Sequence, residues 1–131
     1  MLLISGLILV IMIVAAFTMN SEKKVVIGAS DAGKNIFLKQ GDTMVVTLDG
    51  NVTTGYTWET TQDSSKDISI LKQVGTVEQT PNSNKMGAPG QVVLKFQAVK
   101  TGQEKLTLVY HRPFEKDVPP LKTYSVGVTV Q

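Results

Sequence analysis

The chain has 131 residues, 13 Lys and Arg against 11 Asp and Glu for a formal net charge of +2, one histidine and no cysteine. Near-balanced charge excludes a surface that tracks nucleic-acid phosphates. The same counts exclude disulfides, a cysteine nucleophile and a His/Cys metal cage; no metal and no cofactor are expected.

Sixteen of the first 20 residues are apolar, and every Asp, Glu, Lys and Arg lies beyond them. Residues 1–20 therefore form an N-terminal hydrophobic segment, and residues 21–131 a body the size of one ordinary domain. As a helix, residues 2–19 reach about 27 Å, marginal for a hydrocarbon core near 30 Å. The segment reads in one of two ways. It is a signal peptide, with Val14 and Ala16 as the small residues before a cut after Ala16, or an uncleaved membrane anchor. Lys23 and Lys24 follow it and no basic residue precedes it, which by the positive-inside tendency favours the opposite orientation. The expected location is secreted or extracytoplasmic, with contact to a membrane only if the segment is retained, since no cysteine is present to carry a lipid.

From Ser21 onward helical periodicity is absent, and apolar residues alternate in segments bounded by Gly, Asn, Asp or Pro. Two short apolar runs come first, at residues 25–27 and 36–38. Met44, Val46 and Leu48 then share one strand face. Tyr56, Trp58 and Thr60 repeat the pattern, and Ile68, Ile70 and Val74 follow. Val92, Leu94, Phe96 and Ala98 come next, then Leu106, Leu108 and Tyr110, and Tyr124, Val126, Val128 and Val130 close the chain. This spacing predicts an all-β fold, an immunoglobulin-like antiparallel β-sandwich of about seven to eight strands, expected to be monomeric.

Three connections are rich in unusual residues: 49–55 (DGNVTTG), 77–90 (VEQTPNSNKMGAPG) and 111–120 (HRPFEKDVPP). Turns 39–42 and 100–103 are short and ordinary. If successive strands reverse direction, the three unusual loops are alternate reversals and lie together at one end, as binding loops do on immunoglobulin variable domains. The middle loop, 14 residues without a strand pattern, is long for a compact domain.

Asn51-Val52-Thr53-Thr54-Gly55-Tyr56, Gly87-Ala88-Pro89-Gly90 and Arg112-Pro113-Phe114 resemble, in order and spacing, the three motifs of the chagasin-type inhibitors of cysteine proteases, NPTTGY/F, GxGG and RPW/F. Leu48, Trp58 and residues 96–102 and 106–110 extend the similarity over residues 35–131. The resemblance implies a reversible, competitive protein inhibitor of papain-like cysteine proteases, not an enzyme, whose three adjacent loops block the active-site cleft. The protease-binding residues it implies are Asn51, Thr53, Thr54 and Gly55 in the first loop. Met86, Gly87, Ala88, Pro89 and Gly90 supply the second, and Arg112, Pro113 and Phe114 the third.

The residue types suit that task. Thr53 and Thr54 can satisfy polar groups beside a thiolate–imidazolium pair without offering a scissile bond. Gly87, Ala88 and Gly90 make a loop narrow enough for a cleft, with Met86 aimed at an apolar pocket. Arg112 and Phe114 are hot-spot residue types suited to the opposite shoulder, and Tyr56 and Trp58 belong to the core behind the first loop. Two positions depart from the motifs. Val52 replaces a proline, removing a fixed φ, and Pro89 replaces a glycine, removing one N–H.

Singly, each motif is ordinary β-protein punctuation. His111 reads as a strand-end residue, Glu115 and Asp117 as a solvated loop face, and Asn51-Val52-Thr53 as a chance glycosylation sequon. No G-x-S-x-G elbow is present to support a serine hydrolase. The competing reading is a non-inhibitory immunoglobulin-like surface or adhesion module on the same scaffold.

Overall fold

The computed structural model describes residues 22–61, 69–81 and 90–131, so the N-terminal hydrophobic segment, Ile68 and the tip of the second loop lie outside the described residues. Among the described residues there are eight strands. They are β1 (Lys24–Gly28), β2 (Asn35–Leu38), β3 (Thr43–Gly50), β4 (Thr57–Thr60), β5 (Leu71–Pro81), β6 (Gly90–Ala98), β7 (Gly102–His111) and β8 (Lys122–Val130). Short 3-10 turns occupy Ala29–Asp31 and Val52–Thr54.

The strands form two four-stranded sheets, ordered β1-β3-β6-β5 and β2-β8-β7-β4. Every pairing obeys strict reversal of direction at each connection. Strands an odd number of reversals apart, β3 with β6, β5 with β6, β4 with β7 and β7 with β8, pair antiparallel. Strands an even number apart, β1 with β3 and β2 with β8, pair parallel. The two N-terminal strands thus add a parallel edge to each sheet of an otherwise antiparallel sandwich.

Period-two alternation puts one face of each strand between the sheets. Met44, Val46, Leu48, Val92, Leu94, Phe96 and Ala98 come from one sheet, and Trp58, Leu106, Leu108, Tyr110, Tyr124, Val126, Val128 and Val130 from the other; all are buried in one cluster. At the end of the sandwich formed by turn 39–42, Asp42 is the one buried charged side chain among the described residues. Its carboxylate accepts the backbone N–H groups of Lys23 (3.1 Å) and Lys39 (2.9 Å), tying the chain's entry into β1 to the β2–β3 turn.

One sequence boundary needs correction. The stretch 77–90 is not loop throughout, because β5 runs on to Pro81 and pairs with β6 after a register shift between Val74 and Glu78, where Gly75 takes φ +70°. Alternation fails along this edge strand because residues 72–76 and 78–80 are all exposed, with only Leu71 buried and Val77 partly so.

Candidate functional site

The roots of the three loops lie at one end of the sandwich. In one sheet Gly50, the last residue of β3, pairs with Gly90, the first of β6, which also pairs with Pro81. In the other, Thr57 at the start of β4 pairs with His111 at the end of β7, and Tyr110 pairs with Lys122 at the start of β8. Trp58 joins the two ends by donating its indole N–H to the Asp49 carbonyl at 3.0 Å. Of the predicted second-loop residues, Gly90 is buried at this root, and Met86, Gly87, Ala88 and Pro89 lie outside the described residues.

The first loop is built on Asn51. Its carboxamide oxygen accepts the Thr53 N–H (3.1 Å) and the Thr53 hydroxyl (2.7 Å), while its carbonyl accepts the Thr54 hydroxyl (2.6 Å). This is the local bonding that makes Asn a turn former. Both threonines are exposed at the tip. Each hydroxyl proton is spent inside the loop, so the outward face of each oxygen is an acceptor. Gly55 then reverses the chain at φ +82°.

Beneath the loop the aromatics stack. Tyr110 lies between Trp58 (ring centroids 5.0 Å apart) and Tyr56 (5.1 Å), with interplanar angles of 29°. Its hydroxyl accepts the Asn51 N–H at 2.9 Å. The strand above has no room for a side chain: a β-carbon on Gly50 would stand 2.6 Å from Val92 Cγ2, with Tyr110 at 3.7 Å and Trp58 at 3.8 Å.

The third loop opens with a turn in which Glu115 N–H bonds to the Arg112 carbonyl at 3.0 Å, placing Pro113 where its fixed φ suits a type I turn. Phe114 at the apex is 71% exposed. Arg112 turns back toward the first loop. Its guanidinium carbon sits 4.5 Å over the Tyr56 ring, Nε donates to the Thr54 carbonyl at 2.9 Å, and one terminal nitrogen donates to Glu115 Oε1 at 2.9 Å. The bond to Glu115 holds the guanidinium above the ordinary arginine range, so it stays cationic at any physiological pH. Glu115 is therefore a partner of Arg112 and not part of a solvated acidic face. His111 ends β7 as expected, and its Nε2 lies 2.9 Å from Glu59 Oε2.

Sequence reasoning brought Asn51, Thr53, Thr54, Gly55, Arg112, Pro113 and Phe114 to this end of the molecule. It missed Tyr110, whose alternation marked it only as core, and Glu115, whose i+3 spacing from Arg112 was the available signal.

Residues 38–128 match the family described as Chagasin family peptidase inhibitor I42. The chain belongs to this family. It is accordingly a peptidase inhibitor and not an enzyme. It is 30% identical over 96 residues to amoebiasin-1 of Entamoeba histolytica, covering 73% of this chain and 89% of the relative. Its fold matches the crystal structure of the cysteine protease inhibitor EhICP2 from the same organism with a TM-score of 0.66 at 17% identity, over 86% of this chain and 99% of that one. It also matches PbICP-C, solved in complex with falcipain-2, with a TM-score of 0.52 at 20% identity, over 86% of this chain and 92% of that one.

Proposed function

We propose that the protein is a reversible, competitive inhibitor of papain-like cysteine proteases, acting through the three loops at one end of the sandwich. One observation carries the reading: the first and third loops are bonded to each other through Arg112 and Thr54, and the second is rooted beside them at Gly90 and Pro81. The first and third loops thus present one joined edge, of the kind that enters a cleft with little ordering cost on binding.

In this reading Thr53 and Thr54 stand over the protease's thiolate–imidazolium pair. Their outward lone pairs accept from the imidazolium, and no peptide bond is presented for attack. Asn51 acts by shaping that turn, and Gly55 by closing it. Met86, Gly87, Ala88 and Pro89 run along the substrate subsites, with Met86 in an apolar pocket and Gly90 anchoring their return into β6. Phe114 packs on the opposite shoulder, aimed by Pro113, while Arg112 offers the protease only the guanidinium N–H groups not held by Thr54 and Glu115. The segment 1–20 delivers the domain outside the cytoplasm, either as a cleaved signal or as a tether.

The test is titration of papain with the purified protein, followed by peptide hydrolysis, with trypsin as control. Stoichiometric, reversible loss of papain activity alone is expected. A folded protein that spares several papain-like enzymes at micromolar concentration would leave the surface-module reading in its place.

A further inference from the structure

The Arg112 guanidinium is held from three sides: by the Thr54 carbonyl, by the Glu115 carboxylate and by the Tyr56 ring. Tyr56 in turn rests on Tyr110, whose ring is stacked on Trp58 and whose hydroxyl bonds the first backbone N–H of the first loop. A continuous path of contacts therefore runs from Asn51 through Tyr110, Tyr56 and Arg112 to Glu115. It joins two loops that are 58 residues apart in sequence at the Arg112–Thr54 bond. Tyr110 is 5% exposed, so it cannot itself touch a partner.

We propose that Tyr110 and Glu115 are positioning residues for inhibition, which lock the first and third loops into one binding-competent body before any protease is met. The proposal rests on the inhibitor reading above and adds a kinetic consequence. When a partner binds only the competent arrangement, the apparent affinity scales with the fraction of molecules already in it. Loosening the lock lowers that fraction and slows association. The complex, once formed, keeps its contacts, so its dissociation rate is unchanged. Loss of a direct contact acts the other way, since contact mutations chiefly raise the dissociation rate.

The experiment compares wild type, Tyr110→Phe, Glu115→Ala and Glu115→Gln. Association and dissociation rates with papain are measured alongside hydrogen exchange at the Asn51 amide of the free protein. Tyr110→Phe keeps the ring stack and removes the acceptor for the Asn51 N–H. The ratio of unlocked to locked free molecules is expected to rise about three- to tenfold, the worth of one ordinary hydrogen bond, and the association rate to fall with the locked fraction, by at most that factor, with dissociation within about twofold of wild type. Exchange at Asn51 is expected to accelerate by a similar factor. Glu115→Ala should slow association in the same way. Glu115→Gln, which retains an oxygen to accept from Arg112, should recover most of the rate, a rescue that a charge contact with the protease would not allow.

Unchanged exchange at Asn51 in Tyr110→Phe, or an effect on inhibition confined to dissociation, overturns the proposal. A wild-type protein that inhibits no papain-like enzyme defeats the functional reading instead. In that case the Asn51 exchange data still decide whether Tyr110 holds the loop.

Discussion

The edge of the Phe114 ring lies 3.1 Å from the point that a β-carbon on Gly55 would occupy, and Gly55 holds φ +82°. Two separate loops meet at that contact, and they meet because the residue has no side chain. In Gly55→Ala the left-handed conformation costs roughly 1–2 kcal/mol. The steric clash adds little to that, since an exposed Phe114 can swing aside, but the swing moves the apex of the third loop. A fall in thermal midpoint of about 4–8 °C per kcal/mol is expected, together with an inhibition constant against papain raised at least about tenfold by displacement of Phe114. Retained affinity would show that Phe114 makes no contact with the protease.

Val52 opens the 3-10 turn Val52–Thr54 directly after Asn51. The first position of a helical turn is where proline's fixed φ fits and its missing N–H is least needed. Val52→Pro should therefore stabilise the protein by about 0.4–1 kcal/mol, chiefly by restricting the unfolded chain. It should also tighten inhibition severalfold by restricting the free loop. Urea midpoints and inhibition constants measured side by side check both. A stabilised variant with weaker inhibition would mean that the loop must adjust on binding.

Asp42 lies at the opposite end of the sandwich and separates stability from inhibition. Asp42→Ala removes the acceptor for the Lys23 and Lys39 N–H groups. The expected cost is about 1–3 kcal/mol, seen as a lower urea midpoint. The inhibition constant at 25 °C should stay within about twofold of wild type, because no bond of the loop end is touched. A large change in inhibition would reveal coupling through the length of the sandwich.

The strands were legible because alternation is a direct imprint of a two-sheet core: Met44, Val46, Leu48 and the Val92–Ala98 set all face inward as read. Strict reversal of direction then placed the three loop roots together without any contact information. Alternation could not reveal where β5 ends, because almost every described side chain after Leu71 lies outside the core and lacks the burial that writes the pattern. Nor could it give the direction of the Arg112 side chain. An arginine in an exposed motif looks like a partner's handle, and only the positions of Tyr56, Thr54 and Glu115 around it make it an internal strut. Tyr110 carried two signals at once, core parity and a hydroxyl, and the sequence offers no way to see that the hydroxyl faces the Asn51 amide.

Tyr124 predicts how stability fails at high pH. Its hydroxyl donates to the Gly28 carbonyl at 2.8 Å, across from β8 to the end of β1. Burial, and secondarily the charge of Asp31, raise its pKa above the ordinary value of 10.0. A group whose pKa is raised on folding contributes stability fully below its unfolded value and loses it as pH climbs toward the folded one, because the unfolded chain releases the proton first. From Tyr124, stability should therefore be flat to about pH 9 and decline above about pH 10, by at most about 1.4 kcal/mol per pH unit. Tyr124→Phe forfeits the hydrogen bond to Gly28 and should be less stable at pH 8 by about 1 kcal/mol, yet it has no proton to lose there. Urea midpoints of the two proteins, measured from pH 8 to pH 11, should converge as pH rises. Parallel curves would assign the alkaline loss to other groups.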